Sequence, residues 1–260
     1  LFYHLYLPPR HHNPLPTRRS SDLNSSIGHH ISQQFNSELE EIRSLVLAMG
    51  GLVEEQIRNA TQALVDGDVS LAESVISRDV EVNKAEVNID EECTHIIARR
   101  QPAATDLRLV IAVIKTITDL ERIGDQAERV ARMGTRLAEV ERPKNNYHEL
   151  QNMGDHVARM VHGALDAFAR MDVDSALEVS KQDEHVDQEY DGLMRQCLTF
   201  MMEDPRKISQ MLDIMWAARA IERIGDHAKN ICEYVIYLVK GKDVRHVTLE
   251  QMKEEFLEKA

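Results

Sequence analysis

No uninterrupted apolar run in the chain approaches the ~18 to 20 residues that a membrane-spanning helix needs, so any link to a membrane has to pass through a partner. Cysteine is scarce. Cys93, Cys197 and Cys232 are scattered with no C-x-x-C pair, which excludes a zinc or dithiol motif and predicts three reduced, buried thiols in a cytoplasmic protein. Basic charge is in deficit too: 31 Lys and Arg stand against 44 Asp and Glu, a net charge of −13, and this argues against a nucleic-acid binder. Nucleophile elbow, P-loop, G-x-G-x-x-G and H-E-x-x-H are all missing, so the chain carries no recognisable enzymatic motif and is expected not to be an enzyme.

Proline is scarce after the start. Four of the seven fall within residues 1–28, "LFYHLYLPPRHHNPLPTRRSSDLNSSIG", a stretch with neither helical nor strand periodicity and without the ordered regions of a signal peptide. Its piece "PTRRSSDL" resembles translated adapter sequence, and residues 1–28 are set aside as a non-native or disordered leader. Beyond it only Pro102, Pro143 and Pro205 remain, each in a polar interruption between long periodic segments. Proline inside a helix costs about 3 kcal/mol, so these mark boundaries. With the turn signals "DGD" at Asp66 and "MDVD" at Met171 they predict six helices, over 31–65, 68–100, 104–140, 146–170, 173–202 and 205–240. Val110, Ile114, Ile117, Leu120, Gly124, Ala127 and Ala131 recur at steps of three and four, and no alternating β pattern competes. The fold is expected to be all-α, and residues 241–260 to form a polar tail.

What the chain does have is a repetition. The string ERIGD occurs at Glu121–Asp125 and again at Glu222–Asp226, an offset of 101. At an offset of 104, Asp68 falls on Asp172, Val69 on Val173, Asp79 on Asp183, Val82 on Val186 and Cys93 on Cys197. A three-helix unit has been duplicated, giving one bundle over 31–141 and a second over 146–240.

Counting about 100° per residue from Ile117 puts Glu121 and Asp125 at the border of the apolar stripe, and the same count from Ala218 places Glu222 and Asp226 alike. Like charges four residues apart repel, and more so where packing removes water. Gly124 and Gly225 cost each helix about another 1 kcal/mol but allow close approach of a neighbour or ligand. Two readings stay open. Arg122, Arg223 and other basic residues could neutralise the acids, or the carboxylates could supply hard oxygen ligands to Mg²⁺, Mn²⁺ or iron. The second helices add acids at matching steps: Asp79, Asn83, Glu86 and Asp90 in the first half, Asp183, Asp187 and Asp191 in the second. Histidine adds little, since Glu92 and His95 form the one E-x-x-H, whereas a ferritin-like di-iron site needs two. His185 and His227 lie beside acids and are secondary candidates.

The segments "FNSELEEIRSLVLAMGGLVEEQI", "IDEECTHIIARRQPAATDLRLVIAVIKTITDLERIGD", "DAFARMDVD", "VDQEYDGLMRQ" and "AARAIERIGDHAKNICEYVIYLVKG" resemble the PhoU family over about residues 31–247. That resemblance implies a cytoplasmic, usually dimeric regulator that represses the phosphate-starvation response. It implies contacts with the ATPase subunit of the phosphate ABC transporter and with the sensor histidine kinase. It also implies an E(D)-x-x-x-D metal motif, for a multinuclear iron cluster or for zinc or manganese, at Glu121 with Asp125 and at Glu222 with Asp226, faced by Asp79, Asn83, Asp183 and Asp187. The halves differ where Asn83 answers to Asp187, Asp119 to Ala220 and Glu128 to Lys229, so the two sites need not be equal. The competing readings are a metal-storing helical bundle, disfavoured by the missing second E-x-x-H, and a purely structural scaffold.

Overall fold

The structure, a computed structural model, describes residues 20–140 and 147–245 together with 247 and 251, with side chains from residue 33 onward. The helices are α1 (Ser20–Asp66), α2 (Val69–Arg100), α3 (Ala104–Ala138), α4 (His148–Arg170), α5 (Val173–Glu203) and α6 (Ile208–Lys240), with a short 3₁₀ turn at Pro205–Lys207. The expected all-α architecture of two three-helix units is what is found, and each terminus but one lies within three residues of its predicted place. The exception is α1, which starts at Ser20, inside the stretch set aside as a leader. The prolines end at Pro16 and nothing from Ser20 to Ile27 breaks a helix, so the backbone winds before the amphipathic pattern begins. Pro102 and the turn at Pro205 occupy the two corners as expected; Pro143 and most of the C-terminal tail lie outside the described residues. The described residues divide into two units at Ser37, and the architecture that follows is that of the unit from Glu38 onward.

Caps at corresponding places start the second helix of each half. Asp68 accepts from the Leu71 N–H at 3.0 Å, and Asp172 accepts from the N–H groups of Asp174 and Ser175, each at 3.1 Å. These satisfy donors that a helix N-terminus leaves orphaned, each cap contributing about 1 kcal/mol.

The duplication generates an approximate two-fold relation between the halves, seen in exchanged contacts. A methyl group at Gly50 of α1 would come within 2.6 Å of Leu165 on α4, while one at Gly154 of α4 would come within 2.6 Å of Thr61 on α1. At the offset of 104, Gly50 corresponds to Gly154 and Thr61 to Leu165. The third helices pack antiparallel along their length: Arg136 of α3 meets Asp213 of α6 at 3.2 Å near one end, and Lys115 lies over the Tyr237 ring near the other. Along their lengths Ile117, Leu120 and Ile123 of α3 and Ile221, Ile224 and Ile231 of α6 are buried in the core. Burying each such side chain is worth about 1.5–3 kcal/mol.

One corner carries strain in only one half. Gly67 leaves α1 with a φ of 73°, and its counterpart Met171 leaves α4 with a φ of 54°. Left-handed backbone costs a residue with a Cβ about 1–2 kcal/mol, and glycine nothing. Met171 is partly exposed, so little packing is lost with its side chain. Met171→Gly should therefore stabilise the protein by about 0.5–1 kcal/mol after the entropy of the unfolded glycine is subtracted. Denaturant unfolding tests this, and a lower midpoint would show that the side chain's packing outweighs the backbone strain.

Candidate functional site

Both halves form an acidic seam between their second and third helices. In the first, Asp79 is 8% exposed while Asn83, Glu86, Glu121 and Asp125 are half-buried. In the second, Asp183 and Glu222 are 6% and 7% exposed, Asp226 is half-buried and Asp187 is exposed. The helical-wheel expectation that the ERIGD acids border the apolar stripe is met in both copies.

The seams differ in how their charge is met. In the first, Asn83 Nδ2 donates to Asp79 Oδ2 at 3.1 Å, but Asp79 Oδ1, Asn83 Oδ1 and Gln56 Oε1 are buried without a hydrogen-bond partner. A methyl at Gly124 would lie 3.2 Å from both Asp79 Oδ1 and Gln56 Oε1, so the glycine is what lets these oxygens crowd the helix. The basic residue at this end, Arg132, is held by Glu128 at 2.5 Å. In the second seam Lys229, standing where Glu128 stands, reaches Asp183 Oδ2 at 2.7 Å, and Arg219 donates to Glu222 Oε1 at 2.5 Å. Only Glu222 Oε2 is left buried and unpartnered there, and a methyl at Gly225 would meet ordinary contacts at 3.6 Å and beyond. The neutralising cations of the second seam are thus Lys229 and Arg219. Arg223, expected for that role, is exposed on the far side.

Electrostatics follow from this packing. Burial pushes the Asp79 carboxyl up, and Asp125 and Glu128 add to the rise. Glu121 is raised by burial and then by Asp125 and Glu86, and Glu86 by burial and Asp90. In the second seam burial raises Asp226, with Asp183 adding to it, and Asp187 likewise. Glu222 is pushed up to about 7 by burial and by Asp226, against the pull of Arg219. Burial disfavours the charge on Lys229, but Asp183 more than offsets this and raises its pKa. No three His, Cys, Asp or Glu side chains among the described residues are gathered closely enough, as they stand, to hold a metal ion.

The secondary candidates lie elsewhere. His227 turns away from Asp226, its Nδ1 lying 2.7 Å from Asp119 Oδ1, and His185 is exposed and stacks on His156. Glu92 and His95 face solvent. The three thiols are buried and unpaired, and burial pushes Cys93 and Cys232 up to about 12 and Cys197 to about 11, so none is a ready nucleophile. Asp119, noted in the sequence only as an asymmetry, is 2% exposed and accepts from Asn230 Nδ2 at 3.1 Å and from the Tyr234 hydroxyl at 2.7 Å as well.

Fold and seams together define a class: a tandem-repeat, all-α protein that presents carboxylates along its inter-helix seams. The PhoU domain matches residues 46–133 and again 150–235, once in each half. A phosphate-specific transport system accessory protein PhoU homolog of Pseudomonas aeruginosa is 56% identical over 230 residues, 88% of this chain and 95% of that protein. The accessory protein PhoU of Escherichia coli is 49% identical over 223 residues, 85% and 92% of the respective chains. The crystal structure of PhoU from Pseudomonas aeruginosa superposes with a TM-score of 0.78 at 55% identity, covering 80% of this chain and all of that one. A phosphate transport system regulatory protein PhoU from Streptococcus pneumoniae gives 0.75 at 30% identity, covering 81% and 99%. The chain belongs to the PhoU family.

A carboxyl whose pKa is higher folded than unfolded binds protons that the unfolded chain has already released. Stability then falls as pH rises between the two values, for Glu222 from about 4.5 to about 7. Glu222→Gln should be more stable than the parent at pH 8, with the gap closing toward pH 4.5. Urea unfolding across this range reads the slope, and a variant less stable at pH 8 would mean that the Arg219 ion pair dominates.

Proposed function

We propose that this protein is an accessory regulator of phosphate-specific transport that holds the phosphate-starvation response off while phosphate is plentiful. The observation that carries this is the paired family match: both halves correspond to the PhoU domain, and the likeness to the accessory protein of Pseudomonas aeruginosa extends over 95% of that protein. The reading is of a non-enzymatic cytoplasmic adaptor, working as a homodimer that contacts the transporter's ATPase subunit and the sensor histidine kinase. No described helix is long and apolar enough to cross a membrane, and in this reading association with the transporter is by surface docking. Deleting the gene should switch on phosphate-starvation genes in high-phosphate medium, and the intact chain supplied in trans should silence them again. Unchanged reporter expression in the deletion would reject the adaptor role and favour a storage or structural one.

Within that role the first seam is the cation site and the second is neutralised from within. Support comes from the buried, unpartnered Asp79 Oδ1 beside Asn83, Glu121 and Asp125, and from the amino group of Lys229 on Asp183 in the second half. An all-oxygen donor set suits Mg²⁺, Mn²⁺ or iron better than zinc. Binding needs the side chains to turn inward, and the metal's charge would relieve the repulsion that raises Asp79 and Glu121. Elemental analysis of untagged protein purified without chelators should find metal in the parent and in Glu222→Ala with Asp226→Ala. It should find none in Glu121→Ala with Asp125→Ala, with helicity retained by circular dichroism. Equal metal in both double variants would remove the ligand assignment.

A further inference from the structure

The antiparallel packing of α3 on α6 makes two equivalent places, one on each side of the pseudo-two-fold, and the chain has furnished them differently. One is closed. There the Asp119 carboxylate of α3 is enclosed by His227, Asn230 and Tyr234 of α6, and the Lys115 amino group lies 5.4 and 5.3 Å from the centres of the Tyr234 and Tyr237 rings. The other is a pocket of about 250 Å³. Its α3 wall, Gln126, Arg129, Met133 and Arg136, stands at the offset of 101 from His227, Asn230, Tyr234 and Tyr237. Its α6 wall, Trp216, Arg219, Ala220 and Arg223, corresponds to Lys115, Thr118, Asp119 and Arg122. The pocket is therefore the position of the Asp119 carboxylate with the carboxylate removed, since Ala220 stands in its place, and with arginines added round it.

Four guanidinium groups in an acidic protein call for anions. Arg219 is shared with Glu222, and Arg136 with Asp213, but Arg129 and Arg223 are exposed with no hydrogen-bond or ion-pair partner among the described residues. Trp216, the single tryptophan, is 65% exposed at the rim, and Ile208 and Leu212 precede it at four-residue steps as further exposed apolar side chains on the same face of α6. Planar guanidinium pairs match carboxylate geometry, and an arginine and tryptophan cluster is the composition of an interface anchor point. The volume lies below the usual range for a whole small-molecule ligand and suits one or two side chains.

We propose that this pocket is a docking site for an acidic peptide segment of a partner protein. A carboxylate of the partner occupies the place that Asp119 fills in the other half, and neighbouring apolar side chains cover Trp216 and Met133. The inference does not depend on the phosphate-signalling role.

The test uses the full chain with a capped peptide Leu-Glu-Asp-Leu-Glu, its carboxamide counterpart Leu-Gln-Asn-Leu-Gln and inorganic phosphate at matched ionic strength. Binding is read by Trp216 emission and by titration calorimetry. The acidic peptide should give a saturable change in emission and bind at least about tenfold more tightly than the carboxamide peptide, a difference of about 1.4 kcal/mol. Ala220→Asp, which supplies from within the carboxylate that the other half carries, should abolish binding, with helicity and melting temperature no lower than the parent's. Arg129→Glu with Arg223→Glu should abolish it as well. Equal affinity for both peptides, no response to the acidic one, or binding retained in either variant would overturn the proposal. Phosphate binding more tightly than the acidic peptide and lost in the same variants would make the pocket a small-anion site instead. Self-association lost in those variants would make the occupant a second copy of this chain.

Discussion

Packing α3 antiparallel against α6 brings each third helix alongside its own duplicate, and the placement of every other functional group follows from that contact. Asp119 on His227, Asn230 and Tyr234, Lys115 on Tyr234 and Tyr237, and Arg136 on Asp213 mark the faces that meet, and the faces left over, Gly124's among them, are turned to α2 and its counterpart α5. Residues one turn round from the apolar stripe must then lie in the seams, and ERIGD puts a glutamate and an aspartate there in both halves. Glu121, Asp125 and Asp226 are half-buried and Glu222 is buried because the stripe beside them is buried.

That placement costs stability. Carboxyls raised by burial and by one another destabilise the fold at neutral pH, where they are asked to be charged. The halves meet the cost differently. In the second, a lysine stands where the first has a glutamate, and it crosses to Asp183; in the first, the oxygens of Asp79, Asn83 and Gln56 stay unsatisfied behind a glycine that gives them room. A buried polar oxygen without a partner costs about 1–3 kcal/mol, so the first seam is the one where a cation has most to gain.

Much of this was legible in the chain. Pro102, Pro205 and the turn signals at Asp66 and Met171 announce helix ends through backbone rules that act within a few residues. The repeated string and a count of 100° per residue placed Glu121 and Glu222 correctly, because both helices are uninterrupted and amphipathic. What could not be read were pairings set by tertiary distance. Lys229 differs visibly from Glu128, yet only the packing of α5 on α6 shows that it reaches Asp183, 46 residues away. Arg223 looked like the natural partner of Glu222 by adjacency, but neighbouring residues on a helix point about 100° apart, and Arg219, three residues back, makes the contact. The start of α1 was missed because helix and amphipathic pattern are separate properties, and only the second is written in the spacing of apolar residues.

Duplication gives a protein two copies of each environment, and a change in one copy is then interpretable against the other. Asp119 against Ala220 is such a pair. The first closes one end of the α3–α6 contact with three internal partners, His227, Asn230 and Tyr234, and the second opens the other end into a pocket rimmed by arginine. Arg219 ties that pocket to the second seam, for its guanidinium lines the one and donates to Glu222 in the other. An anion drawn into the pocket competes with Glu222 for the same donors. Releasing them removes the interaction that holds down the pKa of Glu222, and the carboxyl, already near 7, moves toward its protonated form. On the docking proposed above, occupation of the pocket and the charge of the second seam form one coupled equilibrium, in which each biases the other by the same free energy.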